Sequence, residues 1–138
     1  EYGINVALHN HDQKASPHYF SPDAILKVCA GRGPRIGAAA DVGYWMRGGI
    51  DPVAGIRQLG PRLLTLQMHD LNELTPQGAD VPWGAGQGRS GQIFREILRL
   101  GLKPTMIGLE YSKDFDDNLS AVAQCAEFFN QLTLQLTR

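Results

Sequence analysis

Ile36-Gly37-Ala38-Ala39-Ala40-Asp41 is a short run of small and apolar residues that ends in a carboxylate, and Asp51-Pro52 then opens a different pattern that lasts to Leu59. The first run suits a strand. The second suits a helix, because aspartate is a good N-cap and proline fits the first turn, where its missing N–H is not needed. Gly60-Pro61 stops that helix, and Leu63 to Met68 is a strand again, ending in His69-Asp70. Strand, helix and strand in immediate succession predict parallel strands joined by right-handed crossovers.

The same unit recurs on both sides. Upstream, Gly3 to Leu8 is a β-prone run ending in His9-Asn10-His11, and Ser21-Pro22-Asp23 offers a cap for a helix through Ala30, closed by Gly31 and Gly33. Downstream, a Gly- and Pro-rich loop over 71–89 leads to Ser90, the expected cap of a helix with Ile93, Phe94, Ile97, Leu98 and Leu100 on its apolar side. Pro104 to Leu109 is the fourth strand and ends in Glu110; a last helix runs from about Asp116 to Leu134. The expectation is one α/β domain over 1–138, built of four βα units. Periodicity alone fits a doubly wound sheet or half of a barrel. No phosphate-cradling glycine loop follows the first strand, so the nucleotide-binding version lacks its signature.

Composition narrows the function classes. A net charge of −1 gives no basic surface for nucleic acid. No apolar run reaches the length that spans a membrane, and Glu1-Tyr2-Gly3-Ile4 shows no basic segment before an apolar stretch. The cytoplasm is the expected compartment. Cys29 and Cys125 lie among apolar neighbours and are expected as two buried thiols rather than a disulfide or zinc pair.

All four strands end in polar residues, on the side where β/α folds build sites. His9 and His11 are two apart and share a face. With Asp41, Gln67 or His69, and Glu110 they would converge at one end of a parallel sheet. Imidazole and carboxylate suit Mn²⁺, Co²⁺, Zn²⁺ or Mg²⁺. Such an ion could bind vicinal sugar oxygens and acidify a C–H beside a carbonyl, with a neighbouring carboxylate or imidazole moving the proton. Trp45 and Trp83, both expected in loops at this end, are sugar-stacking platforms or plugs of the mouth. The glycines of Asp80-Val81-Pro82-Trp83-Gly84-Ala85-Gly86-Gln87-Gly88 could offer backbone N–H groups to an anion, with Arg89 beside them.

Taken in order, His9-Asn10-His11-Asp12, Asp41-Val42-Gly43-Tyr44, Gln67-Met68-His69-Asp70-Leu71-Asn72, Pro82-Trp83-Gly84-Ala85-Gly86 and Gly108-Leu109-Glu110 resemble the sugar phosphate isomerase/epimerase family of xylose-isomerase-like TIM barrels. The resemblance covers essentially the whole chain and implies the C-terminal half of a (β/α)₈ barrel, its fifth to eighth units. It implies a metal held through His9, Asp41, Gln67 and Glu110, with Glu110 and His9 as proton carriers and His11, Tyr44, Trp45, His69, Trp83 and Arg89 toward the substrate. His9 stands where many relatives have Glu, Gln67 where the metal histidine is expected, His69 where Lys is frequent, and Tyr44 where His is common. The implied activity is isomerisation or epimerisation of a sugar or sugar phosphate. A keto-sugar lyase or hydratase, or a carbohydrate-binding relic with a decayed site, are the alternatives. A four-strand half leaves two sheet edges open, so the chain is expected either to oligomerise with itself or to be a fragment completed by an N-terminal half.

Overall fold

The computed structural model describes residues 2–136. Strands β1 (Val6–His9), β2 (Ile36–Asp41), β3 (Leu63–Met68) and β4 (Met106–Leu109) form one parallel sheet in the order β1-β2-β3-β4. Helices α1 (Pro22–Cys29), α3 (Pro52–Leu59), α4 (Ser90–Arg99) and α5 (Leu119–Leu136) alternate with them. The first and last strands start later than expected, and α5 begins at Leu119 rather than near Asp116.

Two helix starts follow from local chemistry. Ser21 Oγ accepts from Ala24 N at 3.2 Å, and Asp51 Oδ1 accepts from Val53 N at 2.8 Å. A further short helix, α2 (Val42–Arg47), rises directly from the end of β2 in what was expected to be a loop. Asp41 caps it, Oδ1 accepting from Tyr44 N at 3.0 Å. Trp45 therefore sits in a helix. Its ring is fully buried and its Nε1 donates to Phe20 O at 3.1 Å. A Cβ on Gly55 would lie 2.8 Å from that ring, so α3 packs on α2 only because position 55 has no side chain.

The sheet has two unlike faces. Ala38, Ala40, Leu66, Met68, Ile107 and Leu109 pack into the helix-covered core with Ile25, Ile56, Ile93 and Ile97. The alternate residues, Ala39, Asp41, Thr65, Gln67 and Gly108, lie on the opposite face. A bulge between Ala38 and Ala39 pairs Ala38 with Leu63 but Ala39 with Thr65, so β3 holds one extra residue. That extra residue sets the parity of the rest of β3. It places Thr65, Gln67 and His69 on the face away from the helices.

Candidate metal centre at the strand ends

Three donors meet at the C-terminal end of the sheet. One ligand atom each from Asp41, His69 and Glu110 lies within 4.8 Å of the other two. His69 Nε2 is 3.7 Å from Asp41 Oδ2 and 3.7 Å from Glu110 Oε2. His9 Nε2 approaches Asp41 Oδ2 at 3.4 Å. Asp41 and His69 are buried; the side chains of His9 and Glu110 are 46% and 45% exposed.

Each buried donor is held from behind. Asn10, fully buried, donates from Nδ2 to Asp41 O at 2.9 Å and accepts from Asp41 N at 2.8 Å. Its amide thus extends the β1–β2 ladder one step and fixes the backbone that carries the carboxylate. His69 is fixed by Asp80: Nδ1 lies 2.8 Å from Asp80 Oδ1. Asp80 Oδ2 in turn accepts from Ser112 N at 2.8 Å and from the Ser112 hydroxyl, and Arg47 Nη2 lies 3.3 Å from Oδ1. A carboxylate behind a histidine orients the ring and turns its other nitrogen outward. Gly43 makes room for that ring, since a Cβ there would lie 2.6 Å from His69 Cγ.

Asp41 Oδ2 and His69 Nε2 are buried without a hydrogen-bond partner. Buried polar atoms are almost always paired, because an unpaired one costs roughly 1–3 kcal/mol. Two such atoms facing each other fit a cation between them. Burial alone would lower the His69 pKa, but the carboxylates of Asp41 and Asp80 outweigh it and push it up to about 9. Burial would raise the pKa of Asp41; the His69 ring reverses this and holds it below the usual carboxylate range. The same opposition, with His69 and Ser112 winning, holds Asp80 low. The pocket therefore favours positive charge.

The expected residues distribute unevenly around this centre. His69, expected toward the substrate, lies in the cluster with Asp41 and Glu110 that could hold an ion. Gln67 lies two residues earlier on the same strand face, registered with Asp41 and Gly108, its Oε1 buried and unpaired. His11 stacks against Tyr44 with ring centroids 3.9 Å apart, and its Nδ1 lies 2.8 Å from Asp12 Oδ2. Trp45 offers no free face, being core. Trp83 is nearly buried too, with its ring centroid 6.0 Å from that of Phe94. Arg89 pairs with Asp51 at the start of α3.

Two expectations about the glycine loop need correction. Ser90 does not cap α4; it is the first helical residue, and Arg89 before it takes a left-handed backbone at φ 56°. The anion that the loop N–H groups meet is internal. Asp70 accepts from Leu71 N, Gly84 N, Gly86 N, Gly88 N and Ser90 Oγ, at 2.8 to 3.3 Å. Asn10 and Asp80 are the site residues that sequence reasoning passed over. Asn10 lay inside a quoted motif, and Asp80 opened a quoted loop; a carboxylate following a strand-end histidine was the available signal.

No family model and no curated protein matches the chain, but solved structures do. It superposes with a D-tagatose 3-epimerase-like protein at TM-score 0.76 and 16% identity, over 99% of this chain and 49% of that one. A xylose isomerase domain protein from Planctomyces limnophilus gives 0.75 at 17% identity, over 98% and 47%. A sugar phosphate isomerase/epimerase from Parabacteroides distasonis gives 0.63 at 19%, over 91% and 44%. The fold is thus that of half of a xylose-isomerase-like (β/α)₈ barrel, as the motif order implied. The chain spans about half the length of the structures it matches. Among the described residues no helix is long and apolar enough to cross a membrane, and both cysteines are buried and free.

Proposed function

We propose that the chain is part of a sugar or sugar-phosphate isomerase/epimerase that moves a proton beside a carbonyl with the help of a divalent metal. The single observation that carries this reading is the pair of buried, unpartnered atoms, Asp41 Oδ2 and His69 Nε2, with Glu110 Oε2 completing a compact donor set. Asp41, His69 and Glu110 would hold the ion. One imidazole with two carboxylates suits Mn²⁺, Co²⁺ or Zn²⁺ better than Mg²⁺. When bound, such an ion polarises the substrate carbonyl and acidifies the neighbouring C–H. His9 and Glu110, the exposed titratable groups of the cluster, would take and return the proton. Asp80 and Asn10 touch no substrate in this scheme and act by positioning.

Chelator-treated protein loaded with Mn²⁺ or Co²⁺ should retain close to one equivalent after gel filtration. Only traces of metal after loading would overturn the proposal. Glu110→Gln should then abolish exchange of substrate C–H with solvent deuterium.

The open side of the sheet needs a cover, and we propose a second four-strand half, from an N-terminal half or from a second copy. The edge strands β1 and β4 and the exposed Tyr2, Ile4, Val6, Met106, Phe115 and Leu119 support this. A concentration-independent monomer by light scattering, with no binding of an apolar dye, would count against it.

A further inference from the structure

Beside the donor cluster lies a cavity of about 710 Å³, bounded by the loop after β1, the end of α2 and the loop after β3. Phe20, Leu74 and Pro76 give it apolar walls; its charged groups are Asp12, Lys14 and Arg47. Tyr44 joins the cavity to the donor cluster. It lines the cavity, its N–H is bonded to Asp41, and burial together with the nearby Asp41 and Glu110 carboxylates raises its pKa.

The lining itself carries two cations and one carboxylate. Asp12 is already engaged by Lys14 N, Ala15 N and His11 Nδ1. Arg47 is anchored through Nε to Gly78 O at 2.9 Å and through Nη2 to Asp80, and its side chain is 20% exposed. The Lys14 ammonium has no partner among the described residues. One ammonium without a partner and one guanidinium shared with Asp80 therefore line a hollow that holds a single carboxylate.

We infer that this cavity is an anion subsite for the far end of an acidic sugar, a sugar phosphate or a sugar acid, with Lys14 as its main contact and Arg47 as its second. The inference rests on the reading of the neighbouring cluster as the reacting centre. A neutral sugar would leave the ammonium unused, whereas an acidic one would span from the strand ends across Tyr44 to Lys14.

Calorimetric titration of metal-loaded protein with a hexose, its terminal phosphate ester and the matching aldonate tests this. Lys14→Gln should weaken the acidic ligand by about tenfold, the worth of one charge-assisted hydrogen bond, and leave the hexose unchanged. Lys14→Arg should restore most of the loss. Which acidic ligand shows the effect tells phosphate from carboxylate. Equal weakening of all three ligands, or none, overturns the subsite while retained metal keeps the reading of the cluster intact. If the protein holds no metal, that reading fails separately. Inorganic phosphate titrated into wild type and Lys14→Gln then decides the subsite alone: weaker binding to the variant supports it, equal binding overturns it.

Discussion

The ends of β2 and β3 each carry a buried aspartate, and the two are used in opposite ways. Asp70 has every acceptor direction filled: four backbone N–H groups and a hydroxyl converge on it and fold the loop over 84–90 around its carboxylate. The glycines there are required, since a Cβ on Gly86 would lie 2.4 Å from Asp70 Oδ1. Asp41 uses one oxygen to cap α2 and leaves the other buried and unpaired beside two histidines. Burial and position in the sequence do not separate a structural carboxylate from a functional one. The number of donors already committed to it does.

The contrast can be broken by substitution. Asp70→Ala leaves five donors without their acceptor, and we expect a loss of at least about 3 kcal/mol in urea unfolding, enough to endanger folding at all. Asp41→Asn keeps the cap, because asparagine caps as well as aspartate, and should cost less than Asp70→Ala even though it takes a carboxylate from the charged His69 ring. Its divalent-metal affinity should nonetheless fall by more than about 100-fold, beyond the loss expected for a supporting residue. Equal destabilisation by the two changes would erase the distinction. Asp80→Asn should weaken metal binding by roughly 10- to 100-fold, by freeing the His69 ring rather than removing a donor; an unchanged dissociation constant by competition with a fluorescent chelator would refute that role.

The smallest effect is on pH. The folded-state pKa of His69 is raised from 6.5 to about 9. The charged ring therefore stabilises the metal-free fold fully below 6.5, and that contribution fades as pH rises through 9. Metal needs the neutral ring, so apparent affinity should climb about tenfold per pH unit from neutrality toward that pKa and then level off. A flat profile would show that His69 does not compete with the proton for the ion.

Much of the fold was legible because its signals are local. Ser21-Pro22 and Asp51-Pro52 announce helices through one side-chain bond each, and the polar strand ends stand out against apolar runs. Helix α2 was not legible: Val42-Gly43-Tyr44 follows the strand with no proline or loop to mark a start, and the capping residue is also the last residue of the strand. The choice between Gln67 and His69 as donor was open for a different reason. Both lie on the same strand face, and how far each reaches depends on the strand's three-dimensional end. The bond between His69 and Asp80 crosses a loop, and Asp70 meets its glycines across a longer one, so neither pairing leaves a periodic trace. Asn10 sat in a quoted motif, but its partner is a backbone 31 positions away.

The bulge at Leu63–Thr65 absorbs one residue, and the strand beyond it has no such slack. Most substitutions at this centre would remove one group and leave its neighbours in place. Deleting a residue of β3 beyond the bulge, Leu66 for example, would instead turn Gln67 and His69 into the helix-covered core and Met68 toward the open face, whereas losing the unpaired Leu64 would leave every face as it is. The centre is therefore more fragile to a change of chain length than to a change of side chain. Point variation can tune it one atom at a time, while loss of one codon between Thr65 and His69 would dismantle it in a single event.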